Sequence, residues 1–261
     1  MRSKDTVAAE VGNSASGDGR NPRSRLYARY LSQCGDAGVP RSIVALRPRA
    51  PFLRQLVRRH FPPDRDARIL DLGCGHGALV HFANEAGYVN VQGVDRSPEQ
   101  VAAARQLGIA GVREGDLDET LAELPDASLD AVVAFDVMEH LTKREIIELL
   151  DGVFRVLRPG GRLIVHAPNG ESPFVGRILY GDFTHEMAFT RTSLTQLARA
   201  ARFSSVACYE DRPVPHGVKS AVRYLGWLMI RAAWRSYMVV ETGSFDSGAL
   251  FTQNLVAIVQ K

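Results

Sequence analysis

Cysteine is scarce in this chain of 261 residues: there are three, Cys34, Cys74 and Cys208, with no C-x-x-C pair among them. That excludes a disulfide-stapled fold and a cysteine-ligated zinc centre, and it leads to the expectation of a reducing, cytoplasmic setting. Long apolar runs are missing as well. Residues 1–25 are polar and rich in Gly and Ser, with no apolar leader. The most apolar stretch near the C-terminus, Tyr224 to Trp234, is interrupted by Arg231 and is too short to span a bilayer. Nor is there much excess of one charge: 32 Lys+Arg against 29 Asp+Glu leave +3, too little to imply a nucleic-acid partner. No internal repeat is detectable. What remains is ordinary globular composition, 45% hydrophobic and 23% charged, enough for one large core with a cap.

Along the chain, residues 1–25 have no periodicity and are expected to form a disordered tail. Residues 26–63 read as a helical cap, with one helix over Arg25–Gln33 and a second over Ala50–His60 stopped by Pro62-Pro63. The pattern then changes to alternating short apolar strands and helices. Strands are expected at residues 68–72, 90–95, near Val112, at 129–136 and, after a turn at Arg158-Pro-Gly-Gly161, at 162–167. Helices follow over 78–86, from Ser97-Pro98 to about Leu107, and over 143–157. Uninterrupted apolar strands alternating with helices predict a doubly wound α/β fold, a parallel sheet covered on both faces. Beyond Pro168 the expected order is a helix at 192–201, a strand at 204–209, a long helix at 218–240 and a last strand at 252–260.

Gly73-Cys74-Gly75-His76-Gly77 lies between a strand and a helix, where glycines allow a tight turn and bring a ligand against bare main chain. The dinucleotide fingerprint would place its third glycine at position 78, which is Ala78, so the spacing argues against a nicotinamide cofactor. Asp95, Asp116 and Asp136 close the second, third and fourth strands. The C-terminal ends of strands are where open α/β sheets bind ligands, and Asp95 is placed to accept both hydroxyls of a ribose. An Asp after a strand can be turn chemistry alone, but several in register with a glycine loop make a site.

These segments resemble the class I S-adenosylmethionine-dependent methyltransferases. Ile69-Leu-Asp-Leu-Gly-Cys-Gly-His-Gly77 is similar to that family's first motif, Gly93-Val-Asp95-Arg96-Ser to its second, Gly115-Asp116-Leu117 to its third, and Leu129 to Asp136 to its fourth. Leu157-Arg-Pro-Gly-Gly-Arg-Leu-Ile-Val165 is similar to the turn and strand that follow. The resemblance implies a Rossmann-like seven-stranded sheet with an antiparallel last strand. It also implies a cofactor-binding domain over residues 64–261 with an insertion at about 213–250. Gly73 and Gly75 would contact the methionine part of S-adenosyl-L-methionine with Asp71 orienting it, Asp95 would take the ribose hydroxyls and Asp116 the adenine amino group with Leu117 beside it; Cys74, Gly77 and Arg96 complete the expected cofactor-binding set. Phe135 and Asp136 would form the floor.

A methyl acceptor that is an alcohol needs a base to remove its proton. The candidates are Asp136, Glu139, His140, His166 and His185. His185 is the first choice, with His140 and Glu139 beside it; His166, inside a strand, reads as a core histidine. Asp136, Glu139 and His140, at i, i+3 and i+4, would share a helix face. With His185 they could hold a divalent metal, as in the metal-dependent 2′-O and quinone-type O-methyltransferases; the metal-free reading is preferred. In the insertion, Lys219, Arg223, Trp227, Arg231, Trp234 and Arg235 share one helix face, opposite an apolar side from Val218 to Ala232. Arg223, Trp227 and Arg231 are the expected substrate contacts, on phosphates and sugars, and the same face could lie on an anionic membrane. The insertion and the Thr184-His185…Phe189-Thr190-Arg191 segment resemble a subgroup associated with polysaccharide modification. The expected acceptor is therefore a sugar hydroxyl or other small molecule, phosphate-bearing or lipid-linked. An RNA substrate is disfavoured by the charge and by the absence of an Asn/Asp-Pro-Pro-Tyr motif after the fourth strand.

Overall fold

The computed structural model describes residues 40–261; the expectations for the tail, for a helix at Arg25–Gln33 and for Cys34 lie outside the described residues. Seven strands form one sheet in the order β3-β2-β1-β4-β5-β7-β6. They are β1 (Ile69–Leu72), β2 (Val91–Asp95), β3 (Val112–Glu114), β4 (Leu129–Phe135), β5 (Leu157–Pro168), β6 (Ser205–Glu210) and β7 (Asn254–Gln260). The first five pair in parallel, and β7 runs antiparallel to both β5 and β6. β6 therefore runs in the direction of the first five, and six strands present their C-terminal ends at the same edge.

The apolar runs behave as a sheet buried on both faces requires. In β4, Ala131 and Val133 face one core with α1 (Ala50–His60) and α2 (Ala78–Glu85). Val132 and Ala134 face the other, with α4 (Leu117–Glu123), α5 (Lys143–Val156) and α7 (Arg191–Ala200). Helix starts follow local chemistry. Ser97 accepts the amide of Gln100 ahead of α3 (Pro98–Gln106), and Thr142 with Glu145 forms a capping box on α5. α5 then buries Ile146, Leu149, Leu150 and Val153 along one side.

Three differences from the sequence-based expectations have physical reasons. The turn at Arg158–Gly161 does not precede β5 but lies within it, because Leu157 already pairs with Leu129 before the register shifts, and Gly160 takes up the irregularity at φ +77°. The short helices α4 and α6 (Val175–Leu179) were not anticipated; at seven and five residues they carry too little periodicity to read. The largest difference is α8 (Val218–Thr242), whose Arg231, Trp234 and Arg235 turn toward the protein body. Arg231 Nε donates to Glu210 Oε2 at 2.7 Å, Arg235 donates to the Ser247 carbonyl at 2.7 Å, and Trp234 stands edge-on to Phe174. Pairing the Arg231 charge with Glu210 at the end of β6 fixes that orientation and leaves the apolar side outward.

The capping box predicts that Thr142→Ala destabilises the protein by about 1 kcal/mol. Differential scanning calorimetry should show the midpoint lowered by roughly 2–4 °C with the unfolding transition otherwise intact.

Candidate functional site

Gly73, Gly75 and Gly77 all adopt left-handed backbone, with φ of +66°, +55° and +77°. Two of them also have no room for a side chain: a Cβ at Gly73 would stand 2.5 Å from Val137 Cγ2, and one at Gly77 2.7 Å from Val112 Cγ2. The loop is tied to the second strand by Asp95, whose Oδ2 accepts the Gly75 amide at 2.7 Å while Oδ1 accepts the Ser97 amide at 2.8 Å. Burial raises the Asp95 carboxyl above its ordinary value even against those two bonds. Asp71, at the end of β1, is buried with Oδ1 unpartnered, and burial followed by the nearby Asp95 charge pushes it up to about 8. Cys74 packs against the core on the α1 side, and burial raises its thiol, so it stays protonated. At the third strand end Asp116 caps α4 by accepting the Asp118 amide and pairs with Arg96 at 3.3 Å; Leu117 packs on the core.

At the fourth strand end the chain does something the sequence did not reveal. Asp136 has φ +56°, rare for a residue with a side chain, and its amide donates to the His166 carbonyl at 3.0 Å. Its carboxylate pairs with His166 Nδ1 and, at 3.5 Å, with Arg49. His166 Nε2 faces Asp211 Oδ2 at 3.4 Å. Phe135 stacks flat on the His166 ring at 4.2 Å, with Phe52 tilted against both rings. Burial alone would lower His166, but Asp136 and Asp211 outweigh it and raise it to about 10, making it an imidazolium. Desolvation opposes the Asp136 charge, and His166 with Arg49 holds the carboxyl below its ordinary value nonetheless.

Asp136 therefore turns away from the helix face it was expected to share with Glu139 and His140, since the segment is a single 3-10 turn, Met138–His140, and not an α-helix. Glu139, His140 and His185 come together without it, each offering an atom within 4.8 Å of the others. Thr184 Oγ1 donates to Asp182 Oδ1 and lies 2.8 Å from His140 Nδ1. His185 Nδ1 donates to the Ile178 carbonyl at 3.1 Å, which leaves the lone pair on Nε2. The two rings meet edge to face at 4.7 Å. Glu139 is buried with Oε2 unpartnered, and burial, then the Asp136 charge, pushes it up to about 8.

Of the expected substrate contacts, Arg231 is engaged by Glu210, Trp227 is half-buried with its Nε1 enclosed and unpartnered, and Arg223 is exposed. Sequence reasoning missed Arg49, Phe52 and Asp211. Asp211 follows a strand end exactly as Asp95 and Asp136 do and could have been read that way; Arg49 and Phe52 arrive only through tertiary packing of α1. Beside Phe52, a cavity of about 270 Å³ opens between α1 and the ends of β6 and β7, with Arg59, His60, Tyr209 and Arg212 in its walls.

Residues 69–161 match a family model described as "Methyltransferase domain". A Mycolicibacterium smegmatis protein named "Probable S-adenosylmethionine-dependent methyltransferase" is 35% identical over 136 residues, 52% of this chain and 51% of that protein. A Xylella fastidiosa "Ubiquinone biosynthesis O-methyltransferase" is 34% identical over 112 residues, 41% of this chain and 44% of its own length. The chain thus spans about half the length of the curated relatives it matches. Among solved structures, a SAM-dependent methyltransferase from Archaeoglobus fulgidus shares the fold at a TM-score of 0.61 and 21% identity, over 91% of this chain and 99% of the other.

The His166 ion pairs carry a pH signature. Because the folded-state value, about 10, lies above the ordinary 6.5, their stabilisation is present in full below pH 6.5 and is lost as pH rises toward 10. Midpoints measured across that window should fall for the natural protein and fall less steeply for His166→Gln; Asp211→Asn, which removes one carboxylate, should end the fall at a lower pH.

Proposed function

The chain carries a class I S-adenosylmethionine-dependent methyltransferase domain, and we propose that it moves a methyl group from that cofactor to a hydroxyl oxygen of a small-molecule acceptor. The residues present suit the cofactor. The left-handed glycine loop offers bare main chain, and the orphaned Asp71 oxygen matches a cationic ammonium. Gly73, Gly75 and Asp71 would hold the methionine part, Asp95 the ribose hydroxyls, Asp116 and Leu117 the adenine, with Phe135 and Asp136 beneath. When bound, S-adenosylmethionine supplies an electrophilic methyl on a sulfonium, which departs as a neutral thioether.

The observation that carries the oxygen acceptor is His185, whose Nδ1 donates to the Ile178 carbonyl and so leaves the ring lone pair on Nε2. As the acceptor oxygen bonds to the methyl carbon, its proton must leave, and His185 takes it at Nε2 with His140 beside it. Positioning supplies much of the remaining acceleration, and the sheet edge provides a rigid frame for it. A sugar hydroxyl remains one acceptor reading. Relatives named for ubiquinone biosynthesis support a ring hydroxyl as the other. Arg59 and Arg212 beside Phe52 suit an acceptor that carries phosphate, a role the inward-turned Arg231 no longer fills.

A second reading has its own observation. Glu139 Oε2 is buried and unpartnered within reach of two histidine nitrogens, a donor set of carboxylate and imidazoles that suits a divalent cation. In that case Glu139, His140 and His185 would hold the ion, whose chemistry would be to polarise the acceptor hydroxyl.

S-adenosylmethionine should raise the thermal midpoint, by about 2.7 kcal/mol of stabilisation at a hundredfold excess over its dissociation constant; no stabilisation would sink the proposal. Asp95→Ala should abolish that shift. His185→Gln and His140→Gln should retain it while lowering S-adenosylhomocysteine release with sugar or catechol acceptors by roughly 10²–10⁴-fold. Activity that survives excess EDTA removes the metal reading; activity lost to EDTA and restored by Mg²⁺ establishes it in place of the metal-free base.

A further inference from the structure

The long helix α8 is amphipathic in the inverted sense. None of its 25 residues is buried, and its outward side is the apolar one. Val218 (83% exposed), Val222, Leu225 and Met229 (73%) form an outward apolar stripe bordered by Ile230, and beyond Ser236 the same side carries Val240 (86%) with Tyr237 at its edge. The helix is about 37 Å long, at 1.5 Å per residue. Just past its end Phe245 is exposed. Across the helix, Trp234 touches Phe174, whose own segment exposes Tyr180 and Phe183. A patch of this extent, built from two elements and rich in aromatics, is not left to water in a stable protein.

The charges on the helix identify what covers it. Lys219 and Arg223 are exposed at the border of the stripe, and no carboxylate occurs from Val218 to Val240; the first is Glu241 in the last turn. A second copy of the same face would bring no counter-charge to those cations along most of the helix, whereas a layer of anionic headgroups does. Among the described residues no helix is long and apolar enough to cross a membrane. We propose that α8 lies in the plane of an anionic lipid surface, with Val218, Val222, Leu225 and Met229 inserted at the acyl boundary and Lys219 and Arg223 at the phosphates. The inward Arg231–Glu210 ion pair and the Trp234–Phe174 contact hold the body of the protein to that helix. The segment carrying His185 begins next to the same contact, so the acceptor side of the site is carried close to the lipid. This docking does not depend on the identity of the acceptor.

Flotation of the full chain with vesicles of phosphatidylcholine alone, or with a quarter phosphatidylglycerol, tests it, alongside light scattering without lipid. The expected result is capture by the anionic vesicles. Lys219→Ala with Arg223→Ala should weaken it about tenfold or more, at roughly fivefold per cation. Leu225→Glu with Met229→Glu should weaken it at least about tenfold through lost apolar burial. Both doubles change exposed positions, so their thermal midpoints should match the natural protein. Failure to bind either vesicle overturns the proposal, and equal capture by both compositions overturns its anionic part. A dimer in light scattering that Leu225→Glu with Met229→Glu dissolves assigns the face to a second copy and overturns it as well.

Discussion

A single buried imidazolium ties three strand ends together. His166, near the end of β5, is held between Asp136 at the end of β4 and Asp211 just past β6, with Phe135 flat against its ring. A buried cation between two carboxylates is costly to form and more costly to break, because removing either partner leaves an uncompensated charge. Its effect is therefore one of geometry more than of net stability. It holds Asp136 in a left-handed conformation, and that conformation aims the chain after β4 into the short turn that brings Glu139 and His140 to His185. The cofactor loop on one side and the acceptor-side histidines on the other are both referred to this fixed point.

The glycine loop, the strands and the helix caps were legible because each depends on neighbours in sequence. Gly73, Gly75 and Gly77 need left-handed backbone, Ser97 and Thr142 bond amides three residues on, and β4 is apolar on both faces because both faces are covered. Of the candidate site, only the glycine loop and its tie to Asp95 were legible. A spacing of three and four residues implies a shared face only in an α-helix, and the segment from Asp136 to His140 is not one, so the grouping of Asp136 with Glu139 and His140 dissolved. His166 reads as a core histidine until Asp211, 45 residues away, supplies its second carboxylate. The direction of α8 depended likewise on Glu210, a partner that no periodicity reveals.

The two halves of the site differ in how they are held. Asp71, Asp95 and the glycine loop are extensions of central strands and inherit their rigidity. The half that holds the histidines hangs on side-chain contacts: Thr184 on His140, His185 on the Ile178 carbonyl, and Asn169, whose buried amide donates to the carbonyls of both Leu250 and Thr252. Such contacts can rearrange at smaller cost than a strand ladder, so this half is where adaptation to an acceptor is least expensive.

The antiparallel seam between β6 and β7 bears on how such a protein changes over time. Two antiparallel neighbours can be joined by a turn of two residues. Here the connection instead takes up residues 211–253 and includes α8, yet the strands on either side keep an unbroken register from Ser205–Gln260 to Glu210–Leu255. Whatever lies between those two ends leaves and returns at the same edge, so its length and chemistry can vary without disturbing the strands that carry the glycine loop. The seam behaves as a fixed socket: the segment between its two ends can be exchanged while the pairing of β6 with β7, and the sheet behind it, stays in place.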